Sequence, residues 1–512
     1  MRKIFLSTLL ILSQIGYSQI TASEIDVLAE RARTTFNVPG IAIAVVKDGK
    51  IIHEKGYGES SIVSKQKVNE HTLFGVASNS KAFTATALAM LIDEGKLNWD
   101  DKVIKYLPDF KMYNDYVTNE FTIRDLLTHR SGLGLGAGDL MIWPEGNNFT
   151  PKDIVHNLRH LKPVSSFRTQ FDYDNLLYIV AGEIIKEISG LSWSEFVETR
   201  IMKPLNMNRS AGSFVRLKDT TNLVTPHVPI DGKLIPIVRY KNTIMDAAGG
   251  IYTSVHDLSQ WVILQLNNGK INDKPLFSEK QHKEMWSLQT IIPATTTPPY
   301  NTHFSGYGLG WFLSDVKGYK QVTHTGGLEG MVTQVTLFPE LNLGIIVLTN
   351  QQSGSAFSAI TNTIKNSYLQ LPYVDYVTKY GEREKKQQAE ADTTTDEVWK
   401  TVALNLKDKK INNHFEQLAG TYQDAWLGEI TLKLEKKKLI FQSVRSPQLK
   451  GEVFFVKNNT YAVKWDNRYF HADAYIEVTF DNNGKASNLK MKAISPLTDF
   501  SYDFHDLDFF RK

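Results

Sequence analysis

Near Tyr373 the chain changes its hydrophobic rhythm, and this change constrains it to a two-part architecture. Before that point, strand-length apolar runs such as Ile41-Ala-Ile-Ala-Val-Val46 and Leu343-Gly-Ile-Ile-Val-Leu348 stand beside longer helix-forming stretches, a pattern of mixed α/β structure. Residues 379–396 carry almost no apolar side chains and read as a connecting helix and linker. After Phe415 come short alternating runs, among them Glu429-Ile-Thr-Leu-Lys-Leu434, Thr460-Tyr-Ala-Val-Lys-Trp465 and Tyr475-Ile-Glu-Val-Thr-Phe480, broken by turn residues at 458–459 and 481–484. Period-two alternation at that spacing predicts an antiparallel barrel or sandwich. With 512 residues and 42% hydrophobic side chains, two domains with sizeable cores are expected.

The chemistry concentrates in the first part. A serine hydroxyl is a poor nucleophile unless a base lies within hydrogen-bond reach, and a lysine one helical turn further on can be that base. Ser-x-x-Lys occurs at Ser64 to Lys67, Ser78 to Lys81, Ser314 to Lys317 and Ser487 to Lys490, so context must choose. Ser64, Ser314 and Ser487 read as solvated surface serines. Ser78 follows the apolar Leu73-Phe-Gly-Val-Ala77 and opens a run from Lys81 to Ile92 that is rich in helix formers and stops at Gly95. The free N–H groups of a first helical turn would face any negative charge beside Ser78. Burial of Lys81 on the apolar side of that helix would lower its pKa toward neutrality.

Two further short patterns follow in order. Tyr173-Asp-Asn175 precedes the amphipathic run Leu176-Leu-Tyr-Ile-Val-Ala-Gly-Glu-Ile-Ile185, whereas the second Tyr-x-Asn, at Tyr240 to Asn242, has no such sequel. His324-Thr-Gly-Gly327 stands between the strand-like Gln321-Val-Thr and the apolar Val332-Thr-Gln-Val-Thr-Leu-Phe338, and reads as an edge strand beside a pocket. Its glycines would admit a substrate backbone.

Phe74-Gly-Val-Ala-Ser-Asn-Ser-Lys-Ala-Phe-Thr84 resembles the nucleophile helix of the family that unites class C β-lactamases with serine DD-peptidases, D-aminopeptidases and related esterases. Leu126-Leu-Thr-His-Arg-Ser-Gly-Leu133, Phe171-Asp-Tyr-Asp-Asn175, Lys203-Pro-Leu-Asn-Met207 and Gly249-Gly-Ile-Tyr-Thr-Ser-Val-His-Asp-Leu258 are similar to its recurring segments, in its order. The resemblance runs from Thr21 to Tyr373. It implies a three-layer α/β fold of the β-lactamase/transpeptidase kind, an antiparallel sheet flanked by helices with an inserted helical subdomain. The alternating tail resembles the small lipocalin-like β-barrel often appended to that family.

The same resemblance assigns roles. Ser78 would be the nucleophile, Lys81 and Tyr173 would move its proton, and His324 would complete the catalytic set. Asn175, Thr325, Gly326 and Gly327 would bind substrate, with the amides of Ser78 and Gly327 as a two-donor oxyanion hole. Tyr173 would need its phenol made more acidic by the lysine's charge to serve as base. His324 departs from the lysine usual in the family's β-lactamases, which weakens recognition of a substrate carboxylate. The expected activity is that of a peptidase or amidase on D-amino-acid or small peptide substrates. A carboxylesterase, a β-lactamase and a non-catalytic cell-wall or β-lactam-binding protein are the alternatives. Loops 134–143 and 291–300 are expected to set specificity.

Other signatures are missing: Gly-x-Ser-x-Gly, His-Glu-x-x-His and a phosphate-binding Gly-x-x-x-x-Gly-Lys-Ser/Thr loop do not occur. With zero cysteines and thirteen scattered histidines, no metal or cofactor is expected; His129 and His256 read as structural. Met-Arg-Lys followed by Ile4-Phe-Leu-Ser-Thr-Leu-Leu-Ile-Leu12 reads as a secretory leader over 1–18, giving a secreted, periplasmic or extracellular protein without a lipid anchor or membrane insertion. Without that leader the charge is 56 basic against 55 acidic side chains, since it holds Arg2 and Lys3 of the 58 and no acid. Such balance gives no argument for nucleic acid as partner. The expected partition is therefore leader 1–18, hydrolase domain 19–373, linker 374–410 and barrel 411–512. Trp426, Phe454, Phe455 and Trp465 are read as barrel core, and no binding residue is assigned to the barrel.

Overall fold

A computed structural model describes residues 19–408 and 413–512. The leader expected over 1–18, and the boundary expected between linker and barrel at 410–411, lie outside the described residues. Eight strands form the central sheet in the order Lys50–Gly58, Gly40–Lys47, Leu343–Thr349, Met331–Phe338, Tyr319–Leu328, Phe312–Val316, Ser305–Tyr307 and Thr290–Ile292. Every neighbouring pair is antiparallel.

The strand Gly40–Lys47 explains why the sheet is a middle layer. Ile41, Ile43 and Val45 pack among Ile25 and Leu28 of the helix Ala22–Thr35 and Ile360 and Ile364 of the helix Gly354–Tyr368. Ala42, Ala44 and Val46, on the alternate face, join Phe83, Trp261 and Val262 in the second layer of helices. Small side chains on that face let the helix Val255–Leu266 approach closely. A Cβ on Gly344 would lie 2.2 Å from a methyl of Val262. Strands buried on both faces carry continuous apolar runs.

Between the sheet and the remaining helices runs the helix Ser80–Asp93, in which every residue from Ser80 to Leu91 is buried. A helix apolar all round belongs in the interior, so Lys81 is carried inside by its neighbours' preference. The segment between Gly58 and Thr290 wraps this helix with others, chiefly Leu176–Ser189.

Residues 376–405 form one helix, Tyr376–Asn405. Its polar composition does not leave it free. At the start Arg31 pairs with Asp375 at 2.8 Å, and near the end Val398 and Val402 pack on Val456, Ala462 and Ile494. Beyond it eight antiparallel strands, from Gly420–Asp424 to Asp508–Arg511, form a closed barrel in which the last pairs with the first. Trp426 and Trp465 are buried as expected, together with Tyr422, Phe441 and Tyr461. Phe454 is a correction: it sits outside the barrel, its ring 5.8 Å from that of Trp399 on the connecting helix. Phe455 is only partly buried.

The barrel docks on the helical layer through specific polar contacts. Arg445 reaches both carboxylate oxygens of Asp153 at 3.1 Å and lies 3.9 Å over the ring of Phe149. Asn157 Nδ2 donates to the carbonyl of Trp426 at 2.9 Å.

Candidate active site

Ser78 lies on a 3-10 turn, Ala77–Asn79, that leads into the helix Ser80–Asp93. Ala77 there has φ 47°, a costly conformation for a residue with a Cβ. Neighbours hold it: Asn79 Nδ2 donates to Thr333 Oγ1 at 2.9 Å, and Ser80 Oγ accepts from the Ile251 amide at 3.1 Å. Ser78 itself is partly exposed, at the wall of a cavity of about 470 Å³.

Lys81 is fully buried, and its Nζ lies 3.1 Å from Ser78 Oγ, 2.7 Å from Asn175 Oδ1 and 3.1 Å from the Ala248 carbonyl. Burial pulls its pKa down to about 7, against the opposing pull of the Asp139 and Asp174 carboxylates. This geometry suits a neutral amine: two N–H bonds satisfy Asn175 and Ala248, leaving the lone pair for the serine proton.

The turn 171–175 delivers two more side chains. Asp174 Oδ1 accepts from the amides of Leu176 and Leu177 at 2.9 and 3.4 Å, capping the helix Leu176–Ser189. Tyr173 hydrogen-bonds to Ser78, and its ring centroid is 4.7 Å from Lys81 Nζ. Burial pushes its pKa well above 10, the opposite of the acidification that a base role would need. Asn175 lines the cavity, its Oδ1 accepting from Lys81 and its Nδ2 donating to Asp139 Oδ2 at 2.7 Å.

His324, Thr325, Gly326 and Gly327 lie on the strand Tyr319–Leu328. This strand is fifth of eight, not a sheet edge. Its neighbour Phe312–Val316 stops at the pair Phe312 and Thr323, however, so residues 324–328 pair on one side only and present a local edge. The two-residue connection Glu329-Gly330 makes Leu328 and Met331 the bonded pair next to the turn. Alternation from there turns the amides of Gly327 and Thr325 toward the open side. The two glycines differ in purpose. A Cβ on Gly326 would lie 2.1 Å from the Val76 carbonyl, so this glycine admits the nucleophile's own turn, while Gly327 has open space before it.

His324 is buried and neutral. Burial lowers its pKa to about 3, Lys81 adding to the effect. Nε2 lies 2.9 Å from the Tyr307 hydroxyl and Nδ1 2.6 Å from the Thr325 carbonyl. The carbonyl must accept, which places the ring proton on Nδ1 and makes Tyr307 the donor to Nε2.

The family model described as Beta-lactamase matches residues 26–369, and a second, described as a domain of unknown function (DUF3471), matches residues 407–511. The chain belongs to the beta-lactamase family of serine hydrolases. Similar proteins include "Unguisins hydrolase ungD'" of Aspergillus campestris (strain IBT 28561), 28% identical over 63% of this chain and 60% of that one. "Protein flp" of Staphylococcus aureus (strain MW2) is 29% identical over 64% of this chain and 63% of its own. The chain thus spans about three fifths of the length of these curated relatives. A solved structure, that of the octameric penicillin-binding protein homologue from Pyrococcus abyssi, shares the fold with a TM-score of 0.60 at 21% identity, over 96% of this chain and 100% of that one.

In this member of the family the second domain closes the pocket. Leu497, Asp499, Phe500, Ser501 and Tyr502 from the loop before the last barrel strand line the cavity, as do Tyr469, Phe470 and His471. Ile142 and Trp143 come from one of the two loops expected to line it. The other is corrected: 290–292 form the far edge strand of the sheet, and residues from 293 to 300 face Tyr376 and Tyr380 instead. No binding residue is assigned to the barrel by the sequence, yet the eight lining residues between 469 and 502 come from it.

Two more residues escaped the sequence. His129, read as structural, packs its ring 4.2 Å from Tyr173 and 4.5 Å from Tyr307, with Nδ1 accepting from the Asp174 amide at 3.0 Å. Its loop is fixed by the buried Asp125 carboxylate, which accepts from Arg130 at 3.0 Å and Arg168 at 2.5 Å. Glu329 stands half-buried on the cavity wall, Oε1 accepting from the Tyr502 hydroxyl at 2.9 Å, and burial raises its pKa to about 7. Among the described lining residues Glu329 and Asp499 carry carboxylates and none is lysine or arginine. No cluster that could hold a metal occurs, and no helix is long and apolar enough to cross a membrane, among the described residues.

The glycine geometry yields a prediction. Gly326→Ala should lower the thermal midpoint by several degrees, since overpacking against backbone costs about 1–3 kcal/mol. Gly327→Ala should leave it unchanged, because its Cβ meets nothing within 4 Å. Differential scanning calorimetry of both variants checks the contrast.

Proposed function

We propose that the protein hydrolyses small peptides or amides through an acyl-enzyme on Ser78, with Lys81 as base. The carrying observation is a buried lysine with a pKa near 7, 3.1 Å from a serine hydroxyl. Neutral Lys81 takes the Ser78 proton as Oγ attacks the carbonyl carbon. The amides of Ser78 and Gly327 hold the oxyanion. Tyr173, hydrogen-bonded to Ser78, passes a proton to the leaving nitrogen and recovers one from Lys81 as the C–N bond breaks. Water, deprotonated along the same path, then releases the acid.

The charge on the cavity wall supports an amine-bearing substrate. A neutral His324 offers no permanent charge to a substrate carboxylate, whereas Glu329 and Asp499 complement an ammonium beside the rings of Trp143, Phe171 and Phe500. With the leaving group at Tyr173, the acyl part extends along the open strand edge from Gly327 toward Glu329, about 7 Å for two residues. That favours an N-terminal amine on the acyl side, the pattern of an aminopeptidase, including one for D-residues. The leader-like 1–18 supports an extracytoplasmic location.

Three measurements test this reading. Ser78→Ala should abolish turnover of D-alanyl amides and nitrophenyl esters with little change in thermal midpoint, while intact mass shows an acyl adduct on the wild type alone. A lasting penicillin adduct on Ser78 would point to a DD-peptidase, one that clears as drug is consumed to a β-lactamase, and turnover of esters alone to an esterase. No adduct and no turnover with any of these would leave a binding protein.

The base must be deprotonated, so acylation should rise with pH through about 7, the folded pKa of Lys81. Lys81→Arg, which stays charged, should lose about a thousandfold. A rate flat across that region would exclude Lys81 as base. Glu329→Gln should raise KM about tenfold for a peptide amide with a free amino terminus and leave its N-acetyl counterpart unaffected; steady-state kinetics on the pair decides.

A further inference from the structure

An unbroken chain of hydrogen bonds runs from the barrel to the nucleophile. Ser501 Oγ donates to Asp139 Oδ2 at 2.9 Å, and Asn175 Nδ2 donates to the same oxygen at 2.7 Å. Asn175 Oδ1 accepts from Lys81 at 2.7 Å, and Lys81 Nζ lies 3.1 Å from Ser78 Oγ. Ser501, Asp139, Asn175 and Lys81 are all buried, and Asp139 Oδ1 has no partner. The two donors that hold Asp139 therefore come one from each domain.

Ser501 is itself fixed in place. Two residues later the buried Asp503 carboxylate accepts from the amides of Gly138 and Leu140 at 2.6 and 3.1 Å, on the turn that carries Asp139. On its other side the Phe500 carbonyl lies so close to Gly136 that a Cβ there would sit 2.7 Å away.

We infer that Ser501 is a positioning residue: by donating to Asp139, the barrel domain holds the carboxylate that orients Asn175 and balances the charge of Lys81. A buried carboxylate with both donors on one oxygen has little to spare. Burial already raises the Asp139 carboxyl well above its usual range, against the two donors that lower it; removing one donor raises it further, and a less ionised Asp139 gives less support to the ammonium form of Lys81. Lys81 must then titrate at lower pH. The other titratable groups facing this pair are Asp174, His129, His324, Tyr173, Tyr178, Tyr240 and Asp503, and a change at Ser501 substitutes none of them. The role for Lys81 rests on the proposed hydrolase reading, but the coupling itself does not.

The test uses the full chain with 13C-labelled lysine, the Lys81 resonance being assigned by its loss in Lys81→Met. Ser501→Ala should lower the Lys81 titration midpoint by about half a pH unit or more. Ser501→Thr, which keeps the hydroxyl, should restore it. Asp139→Asn should lower it as well, and combining it with Ser501→Ala should add nothing further. Where hydrolysis is measurable, the acid limb of kcat/KM should move by the same amount with KM little changed, a signature that mere loosening of the loop does not produce. An unchanged midpoint in folded Ser501→Ala or in Asp139→Asn, or shifts that add in the double variant, would overturn the inference. Should Ser501→Ala fail to fold, Asp139→Asn decides. A shifted midpoint in a protein that never acylates Ser78 would uphold the coupling and overturn the hydrolase reading instead.

Discussion

Burying the amine of Lys81 is the constraint around which the first domain is organised. An ammonium removed from water must find partners or give up its proton. Here both happen in part. The apolar helix Ser80–Asp93 carries the lysine into the interior, Asn175 and Ala248 satisfy its N–H groups, and the carboxylates of Asp139 and Asp174 oppose the desolvation that would otherwise drive its pKa far lower. The balance lies near neutrality, where a base is most useful. Each of those carboxylates is buried at its own expense: Asp174 is raised to about 7, and Asp139 is raised well above its usual range. Such mutually unfavourable placements mark a site kept for chemistry at the cost of stability.

Much of this was legible in the sequence, for reasons that can be named. Barrel runs have a two-residue period that survives without structural knowledge, and Gly40–Lys47 is a continuous apolar run of strand length, as burial on both faces requires. The cluster of Ser78, Lys81, Tyr173 and His324 was legible because helix geometry ties Ser78 to Lys81 and the other two fall in recurring segments. What alternation cannot reveal is which of two apolar faces meets a third element, so Phe454, read as interior, packs instead on Trp399 outside the barrel. Nor does a polar composition distinguish a loose linker from Tyr376–Asn405, a helix that packs through a few scattered residues, Tyr376, Val377, Gly381, Ala391, Val398 and Val402.

The residues that sequence reasoning missed share another property. Asp139, Glu329 and Ser501 are single polar residues in turns and loops without local periodicity, and Ser501 meets Asp139 across a separation of 362 residues. His129 was visible but indistinguishable from a packing residue until the rings of Tyr173 and Tyr307 closed on it. The pocket loops failed in an instructive way. A Pro- and Thr-rich segment such as 291–300 has the composition of a specificity loop, yet the sheet register carries its start to the edge strand farthest from the Gly40–Lys47 side, past Phe312–Val316 and Ser305–Tyr307.

The barrel's contribution follows from how its interior is used. Tyr422, Phe441, Tyr461, Trp465 and Phe509 fill it with side chains, so what the domain offers the neighbouring site lies on its exterior and in its connections. One of those connections, between Ala486–Ala493 and Asp508–Arg511, crosses to the first domain and is locked by Asp503 at the turn of Asp139. Because Asp503 and the lining residues Leu497, Asp499, Phe500, Ser501 and Tyr502 belong to one connection, docking that segment and shaping the pocket are one event. A chain whose barrel is displaced loses the Phe500 wall, the Tyr502 partner of Glu329 and the Ser501 donor together. The candidate active site is thus divided between two domains, and its completeness is a property of their interface.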